Sequence, residues 1–237
     1  MATMRLRTKV RKLINALGID AHRYIRQPGK LDFLKQYDIK TVLDIGANVG
    51  QSALEFRAIL PLAYIYSFEP LPDCFEKLTS AMRGDEHFKA FPFALGATAE
   101  RLAMKKSVYA PASSLMEMGK IHKEALPYTA RVESETNVEV RRLDDVATEL
   151  SLAPEILIKM DVQGFESNVI EGGQRTMRSA RIVLLENSFY ELYVGQALFD
   201  EIYDRMKGLG FSYRGSISRK YLSTGDILFE DSVFVRT

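Results

Sequence analysis

The stretch TVLDIGANVGQSALEF, residues 41–56, decides how the rest of the chain is read. Thr41-Val42-Leu43 is a short apolar run that delivers an acid, Asp44. A turn built from Gly46, Asn48 and Gly50 follows, and a helical pattern opens at Gln51. A strand that passes to a helix through a glycine turn brings backbone N–H groups and the positive end of the helix dipole to one point, where electron-rich ligand atoms are favoured. In an open parallel sheet such a point lies in the crevice beyond the carboxyl ends of the strands.

Outward from this stretch, short apolar runs alternate with helical ones. QSALEFRAIL reads as a helix stopped by Pro61, AYIYSFEP as a strand, CFEKLTSAMRG as a helix closed by Gly84, and HFKAFPFAL as a third strand. NVEVRRL, EILIKMD and RIVLLEN follow as strands, then FSYRG and DSVFVRT, which lack a long helix between them. The alternation implies an α/β chain with a mainly parallel sheet covered on both faces and an antiparallel hairpin at one edge. Residues from about 100 to 137 show no clean period, so an irregular functional insertion is expected there. Residues 41–237 read as one domain, preceded by an extension over 1–40.

That extension carries ten bases (Arg5, Arg7, Lys9, Arg11, Lys12, Arg23, Arg26, Lys30, Lys35 and Lys40) against three acids (Asp20, Asp32 and Asp38). Leu6, Val10, Leu13, Ile14 and Leu17 are at helical spacing, so a basic amphipathic helix is expected. It would either pack on the domain or make a peripheral membrane contact. Over the whole 237 residues, 32 Lys and Arg nearly cancel 31 Asp and Glu, which argues against a general nucleic-acid binder. The one cysteine, Cys74, cannot form an internal disulfide, no apolar run reaches the roughly 20 residues of a membrane span, and no secretory signal is evident. A cytoplasmic setting is expected. The oligomeric state is not legible.

The turn at Gly46-x-Asn48-x-Gly50 lacks the third glycine of a dinucleotide fingerprint, and a carboxylate at Asp44 would repel a pyrophosphate. It would accept a cationic or hydroxyl-bearing ligand. The second strand ends in Ser67-Phe68-Glu69-Pro70, where Glu69 is placed to accept two hydrogen bonds from a ribose diol. Together these features favour a nucleoside-type ligand.

With VLDIGANVGQ, YSFEP, RRLDDV and LIKMDVQGFESNVIEGG in this order, the chain closely resembles the FkbM family of S-adenosylmethionine-dependent methyltransferases between about Thr41 and Glu186. The resemblance implies a Rossmann-like class I methyltransferase fold with a seven-stranded sheet. It also implies S-adenosylmethionine as cofactor, with S-adenosylhomocysteine as product, and a hydroxyl of a sugar or polyol as acceptor. Asp44, Gly46, Asn48 and Gly50, with Ala47 and Gln51, would surround the amino-acid part of the cofactor. Glu69 and Pro70 would meet the ribose, and Ala94 and Leu95 the adenine.

LIKMDVQGFE places Lys159 and Asp161 at the carboxyl edge beside Asp44. Asp161, also expected to line the cofactor site, is the first candidate for the base that takes the acceptor proton, with Lys159 beside it and His122 as a second candidate. Ser113, Ser114, Gln163, Glu166, Asn187 and Tyr190 are candidate acceptor contacts. The family commonly has glutamate where this chain has Gln163, whose amide can both donate to and accept from a polyol. Asp144, Asp145, Asp161 and Glu166 could in principle gather around a divalent cation, but no metal is expected, because Asp144 or Asp145 suits the cap of a helix over VATEL. Four other functions remain open. A nucleic-acid methyltransferase would normally offer prolines after the catalytic strand, which Asp161-Val162-Gln163-Gly164 lacks; a protein methyltransferase also fits. A nicotinamide oxidoreductase or a non-catalytic binding module could use a similar sheet.

Overall fold

The computed structural model describes residues 29–236, so the expected N-terminal helix over the first seventeen residues lies outside the described residues. The strands are β1 (Thr41–Ile45), β2 (Tyr64–Phe68), β3 (Phe88–Phe91), β4 (Ala94–Gly96), β5 (Glu100–Ser107), β6 (Val132–Arg142), β7 (Ile156–Met160), β8 (Ala180–Ser188), β9 (Phe211–Tyr221) and β10 (Ile227–Arg236). The helices are α1 (Gln51–Ile59), α2 (Pro72–Ala81), α3 (Lys120–Ala125), α4 (Leu143–Val146), α5 (Glu166–Gly172), α6 (Gln174–Ser179) and α7 (Phe199–Gly208). KLDFLKQY forms a 3-10 turn over Asp32–Gln36.

Seven strands make the main sheet in the order β3-β2-β1-β7-β8-β10-β9. β1, β2, β3, β7 and β8 are parallel, and β10 runs antiparallel to both β8 and β9, which gives the expected edge hairpin. The order reverses between β1 and β7, each starting a run outward, so their carboxyl ends flank the crevice. Alternate residues of each strand feed two cores. Leu43, Ile45, Ile158 and Met160 pack with Val169, Met177, Ile202 and Met206 of α5, α6 and α7. Val42, Leu157 and Ile182 pack with Leu34, Phe56 and Leu78 of the 3-10 turn, α1 and α2.

Two expectations are corrected. HFKAFPFAL is not one strand: Pro92 has no N–H for a ladder, β3 stops before it, and Ala94–Gly96 pairs instead with Val140–Arg142 of β6. The stretch 100–137 is not irregular throughout either, because β5 and β6 form a long antiparallel ladder that makes, with β4, a second three-stranded sheet. The faces of β5 alternate poorly between buried and exposed, which conceals the strand period. Between the ends of that ladder, residues 108–131 carry a short 3-10 turn, α3 and loops. Among the described residues, no helix is long and apolar enough to cross a membrane.

Candidate active site

A cavity of about 500 Å³ opens beyond the ends of β1, β2 and β7. Its floor is the β1–α1 turn, where Gly46, Asn48 and Gly50 have φ of +76°, +49° and +96°. Gly46 is required sterically, since a Cβ there would lie 2.0 Å from the carbonyl oxygen of Asp161. That contact, with the Asp161 N–H donating to the Ile45 carbonyl at 3.0 Å, sets the two strand ends against each other.

Asp44 is fully buried behind the turn. One carboxylate oxygen accepts from Ser67 Oγ at 3.2 Å. The other, Oδ1, has no hydrogen-bond partner and lies 3.5 Å from Lys159 Nζ. The Lys159 ammonium donates to the Gly46 carbonyl at 2.9 Å and lies 3.8 Å from Asp161 Oδ2. Burial works against its charge, but Asp44 and then Asp161 outweigh burial and hold the Lys159 pKa above its ordinary value. Lys159 is therefore a fixed cation shared between two acids and is poorly suited to take a proton.

Glu69 is buried at the cavity wall and accepts from the N–H groups of Asn48 and Leu71, both at 2.8 Å, one on each oxygen. Burial raises its pKa to about 7 against the pull of these two bonds. A carboxylate oxygen accepts more than one hydrogen bond, so each oxygen keeps capacity for a ligand hydroxyl. Ala94, Leu95, Met104, Leu115 and Phe165 give the cavity an apolar wall suited to a flat ring.

The expected cofactor residues Gly46, Ala47, Asn48, Gln51, Glu69, Pro70, Ala94, Leu95 and Asp161 all line this cavity. Asp44 and Gly50 are beneath or beside it, Gly50 preceding α1. The fit to S-adenosylmethionine rests on Asp44 Oδ1, which is ion-paired to Lys159 but accepts no hydrogen bond, the spare acceptor capacity of Glu69 and the apolar wall. Asp44 would take the amino-acid end, Glu69 the ribose and Ala94 with Leu95 the adenine.

The acceptor side is more divided. Ser113, Gln163, Lys159 and Asp161 line the cavity, and Asp161 has 40% of its side chain exposed there. Ser114 instead donates to the Gln163 carbonyl at 2.6 Å. Glu166 folds back on its own loop and accepts from the N–H of Val162 at 3.1 Å; burial raises its pKa to about 7. Asn187 is turned to the far side of β8, where it donates to Ser232 Oγ at 3.1 Å. With period-two alternation, its neighbour Glu186 faces the crevice, 3.4 Å from Gln163 Nε2. Tyr190 packs in a satellite cluster with Met118, Leu192 and Tyr193.

His122 is buried away from the lining, with Nε2 2.9 Å from Thr129 Oγ1 and its ring edge against Tyr193. Burial lowers its pKa, which favours the neutral ring. Asp144 caps α6 rather than a helix over VATEL: its carboxylate accepts from the N–H groups of Arg175 and Thr176 at 3.0 and 2.8 Å. It is therefore committed to α6, and among the described residues no three His, Cys, Asp or Glu side chains are placed to hold a metal ion. Lys30, Tyr109 and Phe165 also line the cavity and were not singled out from sequence; only Phe165, next to Gly164 in the motif, carried a signal.

The model of the Methyltransferase FkbM domain matches residues 44–213. The 2-O-methyltransferase NoeI of Sinorhizobium fredii is 33% identical over 177 residues, covering 69% of each chain. Methyltransferase sdnD of Sordaria araneosa is 28% identical over 153 residues, covering 55% of this chain and 59% of its own. Among solved structures, Aeropyrum pernix fibrillarin with bound S-adenosylmethionine aligns at a TM-score of 0.47 and 14% identity, over 84% of this chain and 67% of its own.

Proposed function

The chain belongs to the FkbM methyltransferase family and is an S-adenosylmethionine-dependent methyltransferase, and from that premise we propose that it methylates an oxygen, the hydroxyl of a sugar or other polyol in a glycan, glycolipid or natural product. The observation that carries this reading is Asp161. Its carboxylate is half-exposed in the cavity, beside the β1 turn, with Oδ1 tied to Gln163 at 2.6 Å and Oδ2 turned toward Lys159 at a distance too long for a hydrogen bond. The relative named as a 2-O-methyltransferase supports oxygen as the atom modified.

The bound cofactor supplies an activated methyl group, so the protein's tasks are alignment and proton removal. Gly46, Asn48 and Glu69 shape and hold the cofactor side. Asp161 Oδ2 accepts the hydroxyl proton as the oxygen attacks, a contribution of roughly 10²- to 10⁴-fold for a well-placed base. Lys159 keeps Asp44 and Asp161 oriented and partly neutralised. Val162, Leu115 and Phe165 keep the crevice partly apolar. Gln163 and Ser113 are the remaining polar groups an acceptor would meet.

The test is transfer of label from methyl-labelled S-adenosylmethionine to a fractionated lysate of the source cells. Label in carbohydrate or glycolipid fractions is expected. Label confined to RNA or protein would replace the acceptor class with one of those two.

A further inference from the structure

Gln163 adopts a φ of +54°, the left-handed region that non-glycine residues seldom occupy. Its surroundings hold it there. The Gln163 carbonyl accepts from Ser114 Oγ at 2.6 Å, and Gly164 follows at φ +95°, where a Cβ would lie 2.9 Å from the Tyr193 ring. The side-chain amide is tied at both ends. Oε1 accepts from the Tyr193 hydroxyl at 2.7 Å, and Nε2 donates to Asp161 Oδ1 at 2.6 Å and lies 3.4 Å from Glu186 Oε1. Strain of this kind persists where the surroundings over-determine a geometry, commonly at functional sites.

We propose that Gln163 is a positioning residue: its amide, oriented by the Tyr193 hydroxyl, donates to one oxygen of Asp161, fixes which way that carboxylate faces and leaves its second oxygen for the acceptor proton. The inference rests on the base role given to Asp161 above. A flipped amide would set Oε1 2.6 Å from Asp161 Oδ1, two acceptors face to face. The Tyr193 proton has only acceptors within reach, Gln163 Oε1 and the Ala112 carbonyl at 3.3 Å, so the hydroxyl acts as a donor.

Asp161 stands among several charged groups: Asp44 on β1, Lys159 on β7, Glu166 on α5, Glu186 on β8 and Asp231 on β10. The hydrogen bond from Gln163 Nε2 to Oδ1 fixes which way its carboxylate faces among them.

The test compares kcat and the KM for S-adenosylmethionine in the full chain as wild type, Gln163→Met and Tyr193→Phe, each first shown to bind S-adenosylhomocysteine. Loss of the donor should lower kcat by roughly tenfold or more in Gln163→Met and by less in Tyr193→Phe, while KM changes little; a role limited to packing would raise KM together with the fall in kcat. Added to Asp161→Asn, Gln163→Met should lower kcat no further, because the amide acts only through that carboxylate. Wild-type kcat in folded Gln163→Met, or a further fall in the double variant, overturns the proposal, and Tyr193→Phe decides it if Gln163→Met does not fold. Wild-type protein that transfers no methyl to carbohydrate would instead count against the acceptor reading, and kcat is then read on the acceptor that does take label.

Discussion

Glu69 shows how burial and ligand binding oppose each other at a single carboxylate. Burial raises its pKa to about 7, while the ribose hydroxyls proposed to bind it would donate to the ionised form. Affinity for S-adenosylhomocysteine should therefore rise as pH climbs through about 7 and level off above it. Binding below that pH should release a proton, which calorimetry in buffers of different ionisation enthalpy detects, and Glu69→Gln should flatten the dependence. A flat wild-type profile would contradict the role. Asp161→Asn should lower kcat by roughly 10²-fold or more with little change in cofactor affinity, the signature of a group used in the transition state. Equal kcat in the two proteins would remove Asp161 from the chemistry. Both acids were legible in the sequence because each ends an apolar strand. Gln163 was read as an acceptor contact, and its tie to Asp161 was not legible, because it depends on Tyr193, thirty residues along the chain, arriving across the crevice.

Glycines fix how the elements meet. A Cβ at Gly46 would lie 2.0 Å from the Asp161 carbonyl oxygen, and one at Gly172, the last residue of α5, 1.8 Å from the Gly96 carbonyl oxygen in β4. Gly172→Ala should therefore lower the melting temperature by pushing the small sheet from the main domain, whereas Gly46→Ala should also abolish S-adenosylhomocysteine binding. Normal binding in folded Gly46→Ala would contradict the geometry of the turn. Asp144→Ala should cost about 1 kcal/mol in a denaturant melt through loss of the α6 cap, and should leave turnover intact if Asp144 takes no part in the site. Elements with a clear period and a glycine or proline at their ends, such as α1, β2 and β7, were legible. β4 and β5 were not, because β4 is three residues long and its identity comes from pairing with β6, more than forty residues away in sequence.

Across the whole molecule, polar side chains form a row on one face of the main sheet at its carboxyl edge: Ser67, Asp44 and Lys159 in register, then Glu186, Asp231 and Ser218. The row crosses the point where the strand order reverses, and its acids are desolvated at a cost to the fold. Glu69 and Glu166, both raised to about 7 from 4.5, keep their protons more firmly folded than unfolded. Their contribution to stability is full below the unfolded value and is lost as pH rises through about 7. Glu166→Gln should reduce that loss by up to roughly 3 kcal/mol, seen as a shallower fall of melting temperature with pH. Identical pH profiles for the two proteins would refute the buried, proton-retaining state of Glu166. The central claim concerns the atom methylated, and it is tested most directly by incubating the full chain with trideuteromethyl-labelled S-adenosylmethionine and an oligosaccharide fraction that accepts label, then analysing the hydrolysed sugars by mass spectrometry. A trideuteromethyl ether on a ring hydroxyl is the expected result, and label found only on nitrogen, carboxylate or carbon would contradict the account.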